Sequence, residues 1–322
     1  MTNVRAYGHA ALMHIKRATA HGEVPAGNFL KVPFYTSGLG GSKSYEPNEL
    51  AGQGRDPQKP VAGPLDVGGN LVVPLDARYF GHWLTGLLGD PTTTADEGVY
   101  THVFKSGAAE LPDYAIEIGH PLIASPVYFM NTGVQVNSIS HQLERSGAVR
   151  TTLGLIGINE EKSGTSQAGT PTTLTFMQFG HPQCVLKKGG AALANARSFN
   201  FNFSNNLIPI ETVSNGGNLE GVDPGMTSLT GSADLFFANQ SIIGDIFAGT
   251  PVDFEVAYQI SSSLRLVFSL HEILLDRVPH SVDGPGGVAI SLPFRGNKNA
   301  VAGCMMSVTL VNDVAGTEYV PE

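Results

Sequence analysis

The chain runs through one order of elements twice, and that order limits what it can fold into. Near the end of the first half, residues 133–140 precede a polar break and residues 148–156. Near the end of the second half, residues 287–294 precede the polar run 295–299 and residues 300–308. Each reads as a strand, a short polar turn and a second strand. A repeat of domain length marks a pseudo-symmetric building block. Building blocks point to assembly before they point to catalysis.

The repeat extends backwards. Residues 114–120 and 264–271 each read as a strand ending in His, at His120 and His271. Residues 99–104 and 252–258 precede them. All four alternate apolar and polar residues with the two-residue period of a strand with one wet face. Before these lies one helical segment per half. Tyr79, Phe80, Trp83, Leu84, Leu87 and Leu88 share one face of a helix capped by Asp76 and ended by Gly89. Ile242, Ile243, Ile246 and Phe247 form the matching stripe, with Asn239 as its cap and Gly249, Thr250 and Pro251 as its stop.

Each helix follows a strand, at 69–75 and 231–237, and each strand follows a long Gly/Pro/Asn-rich stretch, at 36–68 and 205–230. Opening strands at 29–34 and 199–203 match as well, and Gly8-His9 and Gly180-His181 stand at the heads of the halves. The predicted fold is mostly β: two tandem β-sandwich or barrel domains, residues 1–165 and 166–322. Each carries one flanking α-helix and a long loop arm. The Gly/Ser/Thr-rich stretch 162–173 is the expected boundary.

At 322 residues the chain can hold two cores of about 150 residues each. Only 15% of residues are charged, against 39 Gly and 20 Pro, a balance that favours β-rich, loop-rich structure. No apolar run approaches the roughly 20 residues of a membrane span. Residues 1–5 carry no stretch of signal-peptide type, which argues against secretion. Cys184 and Cys304 lie far apart, outside any paired-cysteine metal motif, and are expected as reduced, buried small apolar residues; a disulfide between them stays open. The net charge is −9, with no basic cluster beyond Lys16-Arg17 and Lys187-Lys188. A protein that grips DNA needs many phosphate-neutralising cations, so this chain should repel nucleic acid or let it slide.

No active site assembles from the residues. The ten histidines include His9, His14 and His21 near the N-terminus and Gly-His-Pro at His120 and His181, but none has metal-ligand spacing. Glu160-Glu161 reads as a solvated turn at a strand end, not a working carboxylate pair. The glycine runs 38–41 and 284–287 are not nucleotide loops. Asn239-Gln240-Ser241 fits a glycosylation sequon only formally. No catalytic residue, metal or cofactor is expected.

The two long stretches carry more. Loops beyond about 15 residues are usually functional or disordered. Residues 36–68 hold Tyr45, Glu46, Asn48, Glu49 and Leu50 between polar flanks, and residues 205–230 hold Leu207, Ile208, Ile210 and Met226. Apolar arms left on a monomer are liabilities. These residues are therefore the candidate inter-subunit contacts, in preference to flaps folded on their own domain.

The ordered series 44–50, 69–75, 79–89, 100–104, 111–114, 133–139 and 196–207 resembles bacteriophage tail tube proteins across most of the chain. The resemblance implies packed β-sheets, nearly a barrel, with a flanking helix. It implies subunits that join edge to edge into rings, rings that stack into the tube of a long-tailed, siphovirus-like phage, and DNA that transits the lumen without specific binding. The partners it implies are further copies of the chain and other tail proteins. The location it implies is the virion tail, assembled in the host cytoplasm. A tandem repeat predicts trimeric, pseudo-hexameric rings. A single elaborated domain would instead give hexameric rings of six chains. An acidic lumen is expected from the net charge. The rival readings are a tail terminator or decoration protein that does not polymerise, and a β-sandwich binding module.

Overall fold

The structure, a computed structural model, describes residues 5–52, 54–213, 215–236, 241–279 and 287–320. Its strands in the first half are β1 (Leu12–Arg17), β2 (Leu30–Lys31), β3 (Thr36–Ser37), β4 (Gly40–Asn48), β5 (Gln58–Pro74), β6 (Thr92–Asp96), β7 (Val99–Lys105), β8 (Tyr114–His120), β9 (Val127–Leu143), β10 (Arg150–Gly157) and β11 (Asn159–Ser163). Then come β12 (Cys184–Lys188), β13 (Ala191–Ala192), β14 (Ala196–Ser204), β15 (Ile208–Glu211), β16 (Leu219–Asp223), β17 (Ser228–Phe236), β18 (Val252–Ser261), β19 (Leu264–Leu275), β20 (Ala289–Asn297) and β21 (Met306–Asn312). The helices are α1 (Phe80–Leu88), α2 (Ser241–Ala248) and the single turn α3 (Gly316–Tyr319). Strand at 54% against helix at 9% makes strand pairing the main source of backbone hydrogen bonds.

Strand β9 organises the molecule. Its first part pairs with β8 and β11, and its second part pairs with β10 and β14. The change of partners falls at Gly133, which has φ +60° and no room for a Cβ: one placed there would lie 2.3 Å from Ile158 Cδ1. Only glycine accepts both conditions, so Gly133 is the corner between two sheet segments. Beyond it, β5–β10–β9–β14–β17–β20 form one continuous antiparallel run through both halves.

The register of that run explains its core. Leu71, Leu153, Ile139, Phe203 and Leu229 fall in one cross-strand row, and Val73, Thr151, His141, Phe201, Gly231 and Phe294 in another. With Phe199 and Leu292 they build a buried apolar face. His141 sits among these rings, stacked on Phe268 at 5.4 Å between centroids, with Nδ1 3.0 Å from Thr151 Oγ1 and Nε2 2.9 Å from Tyr258 Oη. Burial pushes its pKa down to about 3, with His181 acting in the same direction.

Helix α1 is buried at all nine positions, including the expected stripe of Phe80, Trp83, Leu84, Leu87 and Leu88; Tyr79 before it is buried too. The expectation of a helix with one covered face is corrected. Its sequence has no charged residue to keep a wet side, and α3 closes the remaining face. A Cβ on Gly81 would sit 2.3 Å from Tyr319 Cζ, so glycine there makes room for the ring. Asp76 holds the helix start, as expected. Its Oδ1 accepts N–H groups of Arg78 at 2.7 Å and Tyr79 at 2.9 Å, and its Oδ2 accepts that of Met177. Burial still raises the Asp76 pKa, beyond what these bonds offset. Gly89 ends the helix at φ +86°.

Several expectations change. The second strand–turn–strand unit is not a hairpin: β20 pairs with β17 and β19, whereas β21 pairs with β19 and β7. Only β9 and β10 pair as expected. The opening strands do not match either, since β2 is two residues paired to β1 while β14 lies in the central run. The stretch 162–173 is no loose linker. Residues 159–163 pair with β9, Ala168 is fully buried against Phe29, the Phe29 and Lys31 N–H groups donate to Ala168 O and Thr172 O, and the Thr172 N–H donates to Phe29 O. Glu160 and Glu161 lie within β11, not in a turn. In α2, Ile242 is buried and Ile243 and Ile246 are half-buried, but Phe247 is exposed. Asn239, the sequon it heads and most of the run 284–287 lie outside the described residues.

Two stability predictions follow from this packing. Gly81→Ala should cost about 1–3 kcal/mol by forcing Tyr319 off α1, measured by denaturant unfolding. Acid should also weaken the fold. Burial lowers the pKa of His82 to about 4 and of His141 to about 3, from 6.5. Their neutral forms belong to the folded state, so the stabilisation is present above pH 6.5 and is lost as pH falls towards 4. At pH 5 each should cost about 2 kcal/mol. The thermal midpoint should therefore fall by on the order of 10 °C between pH 7 and pH 5.

Candidate assembly surfaces

Residues 36–68 are built as a two-stranded ribbon. After the short β3, β4 pairs with β5 from Gly40↔Gly68 to Asn48↔Gln58, and the pair leaves the central run beyond Val67. At about 3.3 Å per residue the ribbon projects by roughly 25 Å. Its root is pinned at two points: the Gly41 N–H donates to Glu160 Oε2 at 3.0 Å, and the Leu65 N–H donates to Gly217 O at 2.9 Å. Beyond the root it is almost entirely exposed. Tyr45 is 70% exposed, Leu50 58% and Val61 61%. Glu46 and Glu49 are exposed, and Asn48 is half-buried. The expected loop is thus a strand pair. The sequence hid this because Pro47, Pro60 and Pro64 interrupt the strand pattern.

The second stretch, 205–230, is also ordered and is more firmly held. Strands β15 and β16 form a separate hairpin. Asn205 Nδ2 donates to Leu87 O at 2.8 Å and Val136 O at 3.0 Å, and the Leu207 N–H donates to Asn137 Oδ1 at 2.9 Å. Leu207 is only 7% exposed and Ile210 is half-buried, so these two pack within the fold and are withdrawn as arm residues. Ile208 and Met226 do face outward, Met226 at 90% exposure.

A third surface was not singled out from the sequence: the face of the central run opposite the core. Val72, Thr152, Ser140, Asn202, Thr230 and Arg295 form one cross-strand row there. Gln142, Asn200, Ser232 and Pro293 form the next, and Ser198, Asp234 and Ser291 a third. Neighbours bond across strands, with Asn200 Nδ2 donating to Ser232 Oγ at 2.7 Å and Ser198 Oγ donating to Asp234 Oδ2 at 2.5 Å. The Ser198 and Ser291 hydroxyls hold the Asp234 carboxyl below its usual range. The face is hydroxyl- and amide-lined, with Arg150 at the start of β10, Arg295 and Asp234 as its charged members. The signal was present as the polar half of each strand's alternation.

One buried cluster has the residue types of a reaction centre but not their order. Glu117 Oε1 lies 2.9 Å from His14 Nδ1 and accepts the Ser166 hydroxyl at 2.6 Å, and its Oε2 accepts the Gln167 N–H at 2.6 Å. Burial pushes the Glu117 pKa up, but these bonds outweigh it and hold the carboxyl below its ordinary value. Here the carboxylate lies between serine and histidine, so the imidazole is not the serine's hydrogen-bond partner, as nucleophile activation requires. The cluster instead fastens residues 166–168 to β1 and β8. Among the described residues, no group of three or more His, Cys, Asp and Glu side chains could hold a metal ion, and no helix is long and apolar enough to cross a membrane. Cys184 and Cys304 are free thiols. Cys304 is buried, whereas Cys184 is only half-buried, with its pKa pushed up by burial to about 11.

No curated protein matches the chain. A family model described as phage tail tube protein matches residues 8–296 of the 322. With that match over a β-rich fold that projects an exposed ribbon, the chain belongs to the phage tail tube protein family and is a structural protein of the phage tail.

Proposed function

We propose that this chain polymerises into stacked rings that form the tail tube, the conduit through which DNA is delivered. The observation that carries this reading is the central run itself. Within one chain, β9 of the first half and β14 of the second pair directly, from Phe199↔Leu143 to Ser204↔Ser138. The two halves are joined edge to edge, which is how neighbouring subunits close a ring and satisfy strand edges. Residues 1–165 and 166–322 then act as two tandem tail-tube-like units, and three chains make a pseudo-sixfold ring. Six chains per ring is the alternative if the halves act as one unit. Other tail proteins would meet the ends of the stack, after assembly in the host cytoplasm.

The hydroxyl- and amide-lined face is the surface we assign to the lumen. The net charge led us to expect an acidic lumen, but this face carries few charges, and Arg150 and Arg295 stand against Asp234. Its groups exchange hydrogen bonds with water as readily as with phosphate, and it lacks the cation array that binds DNA through counterion release. Transit then depends on an absence of fixed cations more than on repulsion. The ribbon β4–β5 is the assembly arm, with Tyr45, Glu46, Glu49 and Leu50 as its contacts; Ile208 and Met226 contribute a smaller apolar patch.

Electron microscopy of the purified chain, with ring views averaged without imposed symmetry, tests the central claim. Stacked hollow rings with three strong features are expected. A monomer at every concentration would overturn it. Replacing residues 44–64 by Asn-Gly joins Lys43 to Leu65, which already face each other across the ribbon. This shortened chain should keep its thermal midpoint within a few degrees and form no tubes. Ser140→Lys, Asn202→Lys and Thr230→Lys together should leave tubes intact but slow DNA release from particles at least about tenfold at low salt, less at higher salt. Release can be followed by the fluorescence of a DNA-binding dye.

A further inference from the structure

Among the described residues, helix α2 lacks the cover that α1 receives. Where α1 is buried at every position, α2 leaves Phe247 exposed and Ile243 and Ile246 only half-buried. Beside them Val278, Pro279 and Ile290 complete an apolar groove of about 530 Å³, within the roughly 300–1,000 Å³ typical of binding clefts. One exposed arginine stands on it: the Arg277 guanidinium lies over the Phe247 ring at 4.1 Å. In the adjoining recess Arg197 already faces the Asp234 carboxylate. The groove therefore selects a partner with apolar side chains and a carboxylate close together.

The β4–β5 ribbon presents that combination. Tyr45 and Leu50 are exposed apolar groups, and Glu46 and Glu49 lie between them in sequence. Its prolines, Pro47 in β4 and Pro60 and Pro64 in β5, remove backbone donors from the ribbon. That blunts it against simple strand addition, so it must dock through side chains. We propose that the groove beside α2 receives the β4–β5 ribbon of a second copy of this chain, with Tyr45 on the apolar floor and Glu46 facing Arg277. This seat rests on the reading of the chain as a self-assembling tube protein and names the surface that its arm occupies.

Charge exchange tests it. Glu46→Arg alone and Arg277→Glu alone should each raise the concentration needed for polymerisation at least about tenfold, since like charges would then meet across the contact. The double variant should recover most of the loss, and all three should keep the wild-type circular dichroism and thermal midpoint. A second measurement uses two chains carrying Cys184→Ser, one with Tyr45→Cys and the other with Phe247→Cys; mixed and oxidised, they should give an intermolecular disulfide. Single variants that polymerise normally, a double variant that gives no recovery, or tubes without the disulfide would overturn this seat and leave the tube reading standing. A wild-type chain that stays monomeric would overturn both.

Discussion

Backbone pairing along β9 is the constraint on which the rest of the structure depends. One strand of 17 residues supplies edges to β8, β11, β10 and β14. It can serve all four only because its direction changes at Gly133, where φ is +60° and a side chain would strike Ile158. Without that corner the first half could not hold β8 on one sheet segment while offering its later residues to the second half. The central run, its buried face and its polar open face all follow from this one change of partners.

The second tie between the halves is polar. The chain returns from β21 to the first half, where β21 pairs with β7. Beyond it, Asn312 Nδ2 donates to Ala77 O at 2.7 Å and to Tyr319 Oη at 2.8 Å, and the Tyr319 hydroxyl donates to Arg78 O at 2.7 Å. Arg78 in turn donates to both Asp313 oxygens, at 2.6 and 2.9 Å. Asn312 and Tyr319 are buried, so these bonds are made where an unmade one would be costly. The closing turn therefore completes the cover of α1, and the two halves support one another.

Much of the fold was legible because burial imposes periodicity. The α1 stripe of Phe80, Trp83, Leu84, Leu87 and Leu88, the Asp76 cap and the Gly89 stop depend on neighbours within a few residues, and all appear where expected. The alternation in β14 put Phe199, Phe201 and Phe203 on one face before any partner strand was known. Pairing was less legible. Residues 287–308 have the pattern of a hairpin, yet β20 and β21 take different partners, because alternation says which face is buried and not which edge is met. Leu207 was misassigned for a related reason: an apolar residue in a Gly/Asn-rich stretch reads as exposed until Asn137 and Asn205 are seen to fasten it. The ribbon looked like a loop because its prolines break the strand signal without breaking the strand.

The sequence by itself determined the β-rich class, the sites of α1 and α2, the scarcity of basic residues and the ordered series that places the chain among phage tail tube proteins. Those properties are carried by composition and short-range pattern. Only the tertiary structure decided that both halves share one sheet, that α1 is sealed by a turn more than 200 residues away, that the stretch 36–68 is a two-stranded ribbon and that the open sheet face is lined by hydroxyls and amides. Each of those depends on which distant strand edges meet, and backbone N–H and C=O groups are nearly the same in every residue. Their pairing is chosen by the packing of the whole molecule.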